Sequence, residues 1–437
     1  MYCDPLNGVL LCNFQPMPDE NAAPQHGLPV ALRLLVCALL AAIAVEAILH
    51  LDFKQPFIGY GLGGVFLLFL AARPGLTRVA FVSGIGMIGV VTTVWGHYEG
   101  IPTLLVQAMG PLGLASLMVM SGAILWRGRE LESAAYRALL PGAALTFLTL
   151  GAQYSLNMAS LLHAKTLDLY VYAFDGTFGF QPSFVLGRFL NTNPWLFPAV
   201  KVSYEGIVLA MAALYAGFMA RRENPLWELI ELLFAPAMVG YLFFSVFPVC
   251  GPHYAFAVDF PNAYLPYGML HRLALESIPV LPAFPRNAVP SLHLTWALLI
   301  WLNTRGLPRW ARAAAAALAL ATVFDTLATG EHYLFDLVVS FPFVLWMQAC
   351  MVRTVKLSAR ERWLPAVVGC AMFLGWLVIG RFGFHGMLVG RFVPWTLAAA
   401  SSGVCLVWAI RLPAMIPEMT ARRQGVVGLK AMTAAVG

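Results

Sequence analysis

Long apolar runs alternate with short polar turns along almost the whole chain, and the pattern fits helices that cross a bilayer. Crossing roughly 30 Å of hydrocarbon takes about 20 apolar residues per helix. The runs fall near 30-50, 56-72, 77-97, 102-126, 136-163, 196-220, 226-249, 288-304, 311-328, 332-352, 363-381 and 391-411. They are too long and too continuous for barrel strands, which alternate in segments of about ten residues. The pattern therefore predicts an all-α polytopic membrane protein with about twelve transmembrane helices. Two connecting segments, about 164-195 and 250-287, are long for a compact bundle and are expected to lie on the membrane surface over a site.

Composition agrees with this pattern. Hydrophobic residues make up 60% of the 437 and charged residues only 11%, and the mean hydropathy is +0.76. With cytoplasmic termini, most of the 27 Lys and Arg fall on the inner side, as the positive-inside bias requires. The same topology sends all histidines but His26 to the outer ends of helices or outer loops. The net charge of +6 reflects topology and does not indicate a nucleic-acid partner. The seven cysteines are odd in number and form no CxxC pair, so neither a disulfide framework nor a thiolate metal site is expected. Residues 1-29 are polar, with no Lys or Arg before Arg33, unlike a cleaved signal peptide.

The candidate chemistry sits in two short strings. Pro290-Ser291-Leu292-His293 opens one predicted helix. Gly330-Glu331-His332-Tyr333, with Asp336, opens another. Between them the chain goes in through one helix, turns at Arg305-Gly306-Leu307-Pro308-Arg309 and returns. Legs of about 17 residues at 1.5 Å each bring both histidines back to one depth. His332 and Asp336 are spaced i, i+4 on one helical face. There a carboxylate can orient one imidazole nitrogen and leave the other free as a nucleophile. A second histidine near neutrality suits proton donation to a leaving oxygen, and His293 fits that role. Ionisable groups inside a membrane are costly, which marks these residues as functional. Glu205 and Asp325 could line a cavity, pair with an arginine or form a proton path. Glu331 reads either as part of the site or as a solvated loop carboxylate.

PSxH followed by HxxxD after a hairpin resembles the second and third signatures of the type 2 phosphatidic acid phosphatase superfamily. The GEHY string with Asp336 resembles its branch related to inositol phosphorylceramide synthases. The resemblance implies a six-helix catalytic core over 136-352, preceded by a polar segment (1-29) and a four-helix region (30-135). Two further helices and a cytoplasmic tail follow over 353-437. It implies His332 as nucleophile, Asp336 as its partner, His293 as proton donor and Ser291 as a phosphate holder, with no metal and no cofactor. The expected partners are a lipid phosphate, an alcohol acceptor and the surrounding lipids. The implied function is transfer of a phosphate or phosphorylated head group at the outer face of a bacterial-type plasma membrane. Hydrolysis by the same site is the alternative, and a transporter or lipid-binding protein is the alternative of another class.

Three departures from the superfamily pattern stand out. Leu292 replaces the usual glycine. Thr326 stands where an arginine belongs, with Asp325 in place of the preceding serine. The first, lysine-and-arginine signature is absent from the region Phe247-Pro248-Val249-Cys250-Gly251-Pro252-His253-Tyr254. A buried phosphate needs compensating donors. Arg286 and His253 are the candidates, against ordinary roles as a headgroup anchor and a helix-end cap.

Overall fold

A computed structural model describes residues 56–96, 101–221, 226–351, 359–390 and 392–414. The fold is a helical bundle. Among the described residues four helices come first: α1 (Pro56–Ala71), α2 (Leu76–Gly96), α3 (Ile101–Arg127) and α4 (Ser133–Leu162). In a bilayer, helices associate through close packing of small residues rather than by escaping water. The α1–α3 contact shows this, because a Cβ on Gly113 would lie 2.2 Å from the carbonyl oxygen of Leu62.

The segment predicted as the first surface loop is instead largely helical. It holds α5 (Asp168–Gly176) and α6 (Pro182–Thr192), and residues 171–178 are buried. Aromatic packing explains the burial: the Phe174 ring lies 5.1 Å from Phe335 and 5.8 Å from Trp376. The second loop joins the first through a short antiparallel pair, β1 (Lys165–Thr166) with β2 (Ile278–Pro279), in the register Lys165 to Pro279.

The remaining helices are α7 (Phe197–Glu205), α8 (Ile207–Ala220), α9 (Leu226–Val246), the short α10 (Pro252–Phe256) that opens the second loop, α11 (Leu292–Asn303), α12 (Arg309–Ala328) and α13 (Leu334–Met351). They are followed by α14 (Ala359–Phe382), the single turn α15 (Phe384–Met387) and α16 (Phe392–Ala414). Helices therefore occupy the predicted runs from 56 to 411, whereas the predicted run 30-50 lies outside the described residues.

The expected number of crossings is not reached among the described residues. Six helices, α3, α9, α12, α13, α14 and α16, are long and apolar enough to cross a membrane, or seven spans if α7 and α8 count as one broken by a 54° bend. Reading each apolar run as a crossing overlooks helices such as α11, which has 12 residues and starts at a fully buried serine.

The two C-terminal helices brace the rest. The Trp376 ring of α14 packs on Phe335 of α13 at 6.0 Å, and the Trp395 indole of α16 donates to the Phe178 carbonyl at 3.0 Å. They thereby support the helix that carries Asp336 and the loop that leans on it.

Candidate active site

The α11–α12 hairpin returns the chain to its starting depth, so that the first residues of α11 and the residues just before α13 meet. Ser291 is the N-cap of α11, its hydroxyl accepting from the Leu294 N–H at 3.4 Å. Its carbonyl is held from both sides, by the Thr295 hydroxyl at 2.7 Å and the Ser340 hydroxyl at 3.2 Å. This fixes the Ser291 hydroxyl 3.1 Å from Nε2 of His332.

The other ring nitrogen of His332, Nδ1, lies 3.3 Å from Oδ2 of Asp336. That oxygen also accepts the Tyr333 N–H at 2.8 Å, while Oδ1 is buried with no donor among the described residues. The carboxylate thus has one oxygen committed to the imidazole. All three side chains are buried. The order serine, imidazole, carboxylate leaves an Nε2 lone pair facing a small hydroxyl, the arrangement of an oriented nucleophile.

His293 follows two residues after Ser291. Its ring stacks on Tyr204 of α7, with centroids 3.8 Å apart and planes at 18°, and meets Trp296 edge-on at 6.3 Å. Its nitrogens make no hydrogen bond among the described residues, which leaves them for a substrate oxygen. Leu292, the residue that departs from the glycine pattern, finds room through Gly240 of α9, where a Cβ would lie 2.7 Å from its Cδ2.

Arg286 takes a different place from the phosphate clamp expected of it. It is fully buried and donates to the carbonyls of His163 at 3.1 Å, Leu281 at 2.9 Å, Val280 at 2.9 Å and Phe284. Its fork is spent on pinning the 280–286 loop to the end of α4. His253 stands at the rim, exposed, with its ring against Tyr254 and Phe260 and its backbone N–H on the Gly330 carbonyl at 2.9 Å. Thr326, in the arginine's expected position, bonds within its own helix to the Thr322 carbonyl at 2.7 Å, and its carbonyl receives the His332 N–H at 3.1 Å. Asp325 accepts from Ser203 of α7. Glu331 is half-buried and accepts from the Tyr254 hydroxyl at 2.9 Å, so it belongs to the wall of the site rather than to open solvent.

Sequence reasoning misses how firmly the two loops grip the residues around His332. Asp175 accepts the Leu334 N–H at 2.8 Å and the Phe335 N–H at 2.9 Å, capping α13 from outside. Ser183 of α6 donates to the His332 carbonyl at 2.8 Å. Gly251, at φ +101°, passes so close to the segment that a Cβ there would lie 2.3 Å from the Glu331 carbonyl oxygen. A signal for the acids exists: Asp168 and Asp175 are seven residues apart, on one face of a helix otherwise rich in aromatics.

Burial raises the Asp175 carboxyl well above the usual range, opposed by the two N–H groups it accepts. Burial also pushes the His332 imidazole, just outside the span of α13, down to about 4. It is therefore neutral at pH 7, the form in which an imidazole nitrogen has a free lone pair. Because the pKa is lowered, the neutral form is lost only as pH falls through about 4. For a substrate whose own groups do not titrate in this range, kcat/KM is expected to show no acid limb near the ordinary histidine value of about 6.5 from this residue. A profile from pH 5 to 8 on wild-type protein checks this.

Residues 169–351 match the PAP2 superfamily. The match starts one residue inside α5, runs through α13 and contains Ser291, His293, His332 and Asp336. It is consistent with a phosphatase-type membrane enzyme, and it reaches the superfamily without singling out the inositol phosphorylceramide synthase branch. Neither a curated protein nor a solved structure matches the chain.

Proposed function

We propose that the protein is an integral-membrane lipid phosphotransferase working through a phosphohistidine on His332, at the outer face of the membrane. The single observation that carries this reading is the buried run from Ser291 through His332 to Asp336, with 3.1 Å and 3.3 Å contacts on opposite ring nitrogens. In the first half-reaction the Nε2 lone pair forms the N–P bond as the P–O bond to the leaving alcohol breaks. His293, protonated once the anionic phosphate is bound beside it, gives its proton to that departing oxygen. Asp336 holds the Nδ1 proton and offsets the positive charge that develops on the ring.

In the second half-reaction an acceptor hydroxyl attacks phosphorus and its proton passes to His293. The N–P bond breaks, returning the lone pair to Nε2. Ser291 turns its hydroxyl from Nε2 to a phosphate oxygen when substrate arrives, and His253 at the rim is the remaining candidate for a cationic contact. An alcohol as acceptor makes the enzyme a transferase, and water makes it a phosphatase. Access of each to the buried site decides the outcome. The apolar helices deliver a lipid substrate laterally, which fits a nucleophile at the end of α13 better than a soluble ester would.

Purified protein in vesicles, given a panel of radiolabelled lipid phosphates with and without alcohol acceptors, tests the reading. We expect label to move to the acceptor when one is present, and a membrane-impermeant short-chain substrate to turn over in sealed right-side-out vesicles. Release of free phosphate at an unchanged rate whatever the acceptor would favour the phosphatase. Binding or movement of lipid with no bond broken would favour a transporter.

A further inference from the structure

The carboxylate of Asp168 lies outside the reacting set, yet it is fully buried and committed to the segment that carries the nucleophile. It accepts the Cys250 N–H at 3.0 Å, the Gly251 N–H at 2.9 Å and the hydroxyl of Tyr333 at 3.0 Å. Three separate stretches of chain therefore converge on one side chain: the start of α5, the turn after α9 and the residue next to His332. A buried carboxylate and a buried tyrosine hydroxyl are each costly without a partner, so this pair is strongly specified.

Tyr333 is held at both ends. Its hydroxyl is fixed by Asp168, and its backbone N–H donates at 2.8 Å to Oδ2 of Asp336, the same oxygen that faces Nδ1 of His332. Since Oδ1 of Asp336 has no donor among the described residues, the rotation of that carboxylate is set by what Oδ2 receives. Any shift of Tyr333 thus rotates the group that aims the imidazole.

On the phosphohistidine reading above, we propose that Asp168 is a positioning residue, acting through the Tyr333 hydroxyl to hold the Asp336–His332 pair in line. The segment 164-195 then serves as a rigid support for the nucleophile rather than a cover over the site. Misplacement of a reacting group by a fraction of an ångström to an ångström costs about ten- to a hundredfold in rate, which sets the size of the expected effect.

Tyr333→Phe removes one oxygen atom and leaves the bonds from Asp168 to Cys250 and Gly251 in place. Measured on purified protein with a lipid phosphate turned over by wild type, it should lower kcat about tenfold while KM stays within about twofold. In an Asp336→Ala background the same substitution should change kcat by less than about twofold, because the oxygen it acts through is absent. Wild-type kcat in Tyr333→Phe would overturn the proposal. So would an equal fold-loss in both backgrounds, the mark of a merely structural role. If Tyr333→Phe does not fold, as judged by its unfolding transition in detergent, Asp168→Asn is put through the same cycle, and the same two results decide it. A His332→Ala control separates the two levels. Turnover surviving there defeats the histidine mechanism, whereas an inactive His332→Ala beside a fully active Tyr333→Phe defeats only the positioning role.

Discussion

His332→Ala is expected to lower turnover of a lipid phosphate about 10⁴-fold, a loss of about 5.5 kcal/mol in transition-state stabilisation. On the proposed mechanism the substitution removes the atom that forms the bond to phosphorus, and no neighbouring group can replace it. Ser291 is the nearest alternative at 3.1 Å, but a serine needs a base to become a nucleophile, and that base would be the missing imidazole. Because His332 makes its decisive contact only in the transition state, KM should move little. The cavity left behind is small and the loop is held independently by Ser183 and Asp175, so the variant should fold. Steady-state kinetics beside a thermal unfolding curve in detergent gives both numbers. Turnover within tenfold of wild type would remove the histidine from the mechanism.

Asp336→Asn is expected to lower kcat about 10² to 10³-fold with KM again nearly unchanged. Its shape is conserved, and the carbonyl oxygen of the asparagine can still accept the Tyr333 N–H at the Oδ2 position. What disappears is the negative charge beside Nδ1. On the proposed mechanism the ring gains positive charge as the N–P bond forms, and in a buried setting an adjacent carboxylate stabilises that charge far more than a neutral amide does. The asparagine also places an N–H₂ where Oδ1 has no partner among the described residues, adding a buried unpaired donor. Pre-steady-state measurement of the first half-reaction locates the loss. A defect confined to the second half-reaction would contradict the role assigned to Asp336.

The parts of this architecture that are legible in the sequence are those with a local signature. Apolar runs mark helices well from 56 to 411, because hydrophobicity along a run is a property of the run itself. Whether each helix crosses is another matter, since α11 is only 12 residues long and is bounded by a site that the bundle buries. His293, His332 and Asp336 stand out because scarce ionisable groups in an apolar chain are conspicuous. Ser291 stands out only through the resemblance of its PSxH string to a family signature, and helix length predicts that the hairpin brings these residues together.

The supports of the site are less visible. Arg286 reads as a free cation, yet it is consumed by backbone carbonyls, which leave no trace in side-chain identity. Asp168 meets Tyr333 across 165 positions, and Asp175 meets the N-terminus of α13 across a similar gap, separations at which one sequence gives no pairing signal. Helix α5 reads as surface loop because glycine and proline interrupt its surroundings and its aromatics lack a long apolar run. Its burial depends on partners such as Trp376 that lie about two hundred residues away.

The measurement that bears most directly on the central claim is rapid-quench trapping of the enzyme with a lipid radiolabelled in its phosphate, followed by peptide mapping. The mechanism predicts acid-labile, base-stable label on His332, formed at least as fast as product and absent from His332→Ala. Full-rate product formation with no labelled histidine at any time point would contradict it.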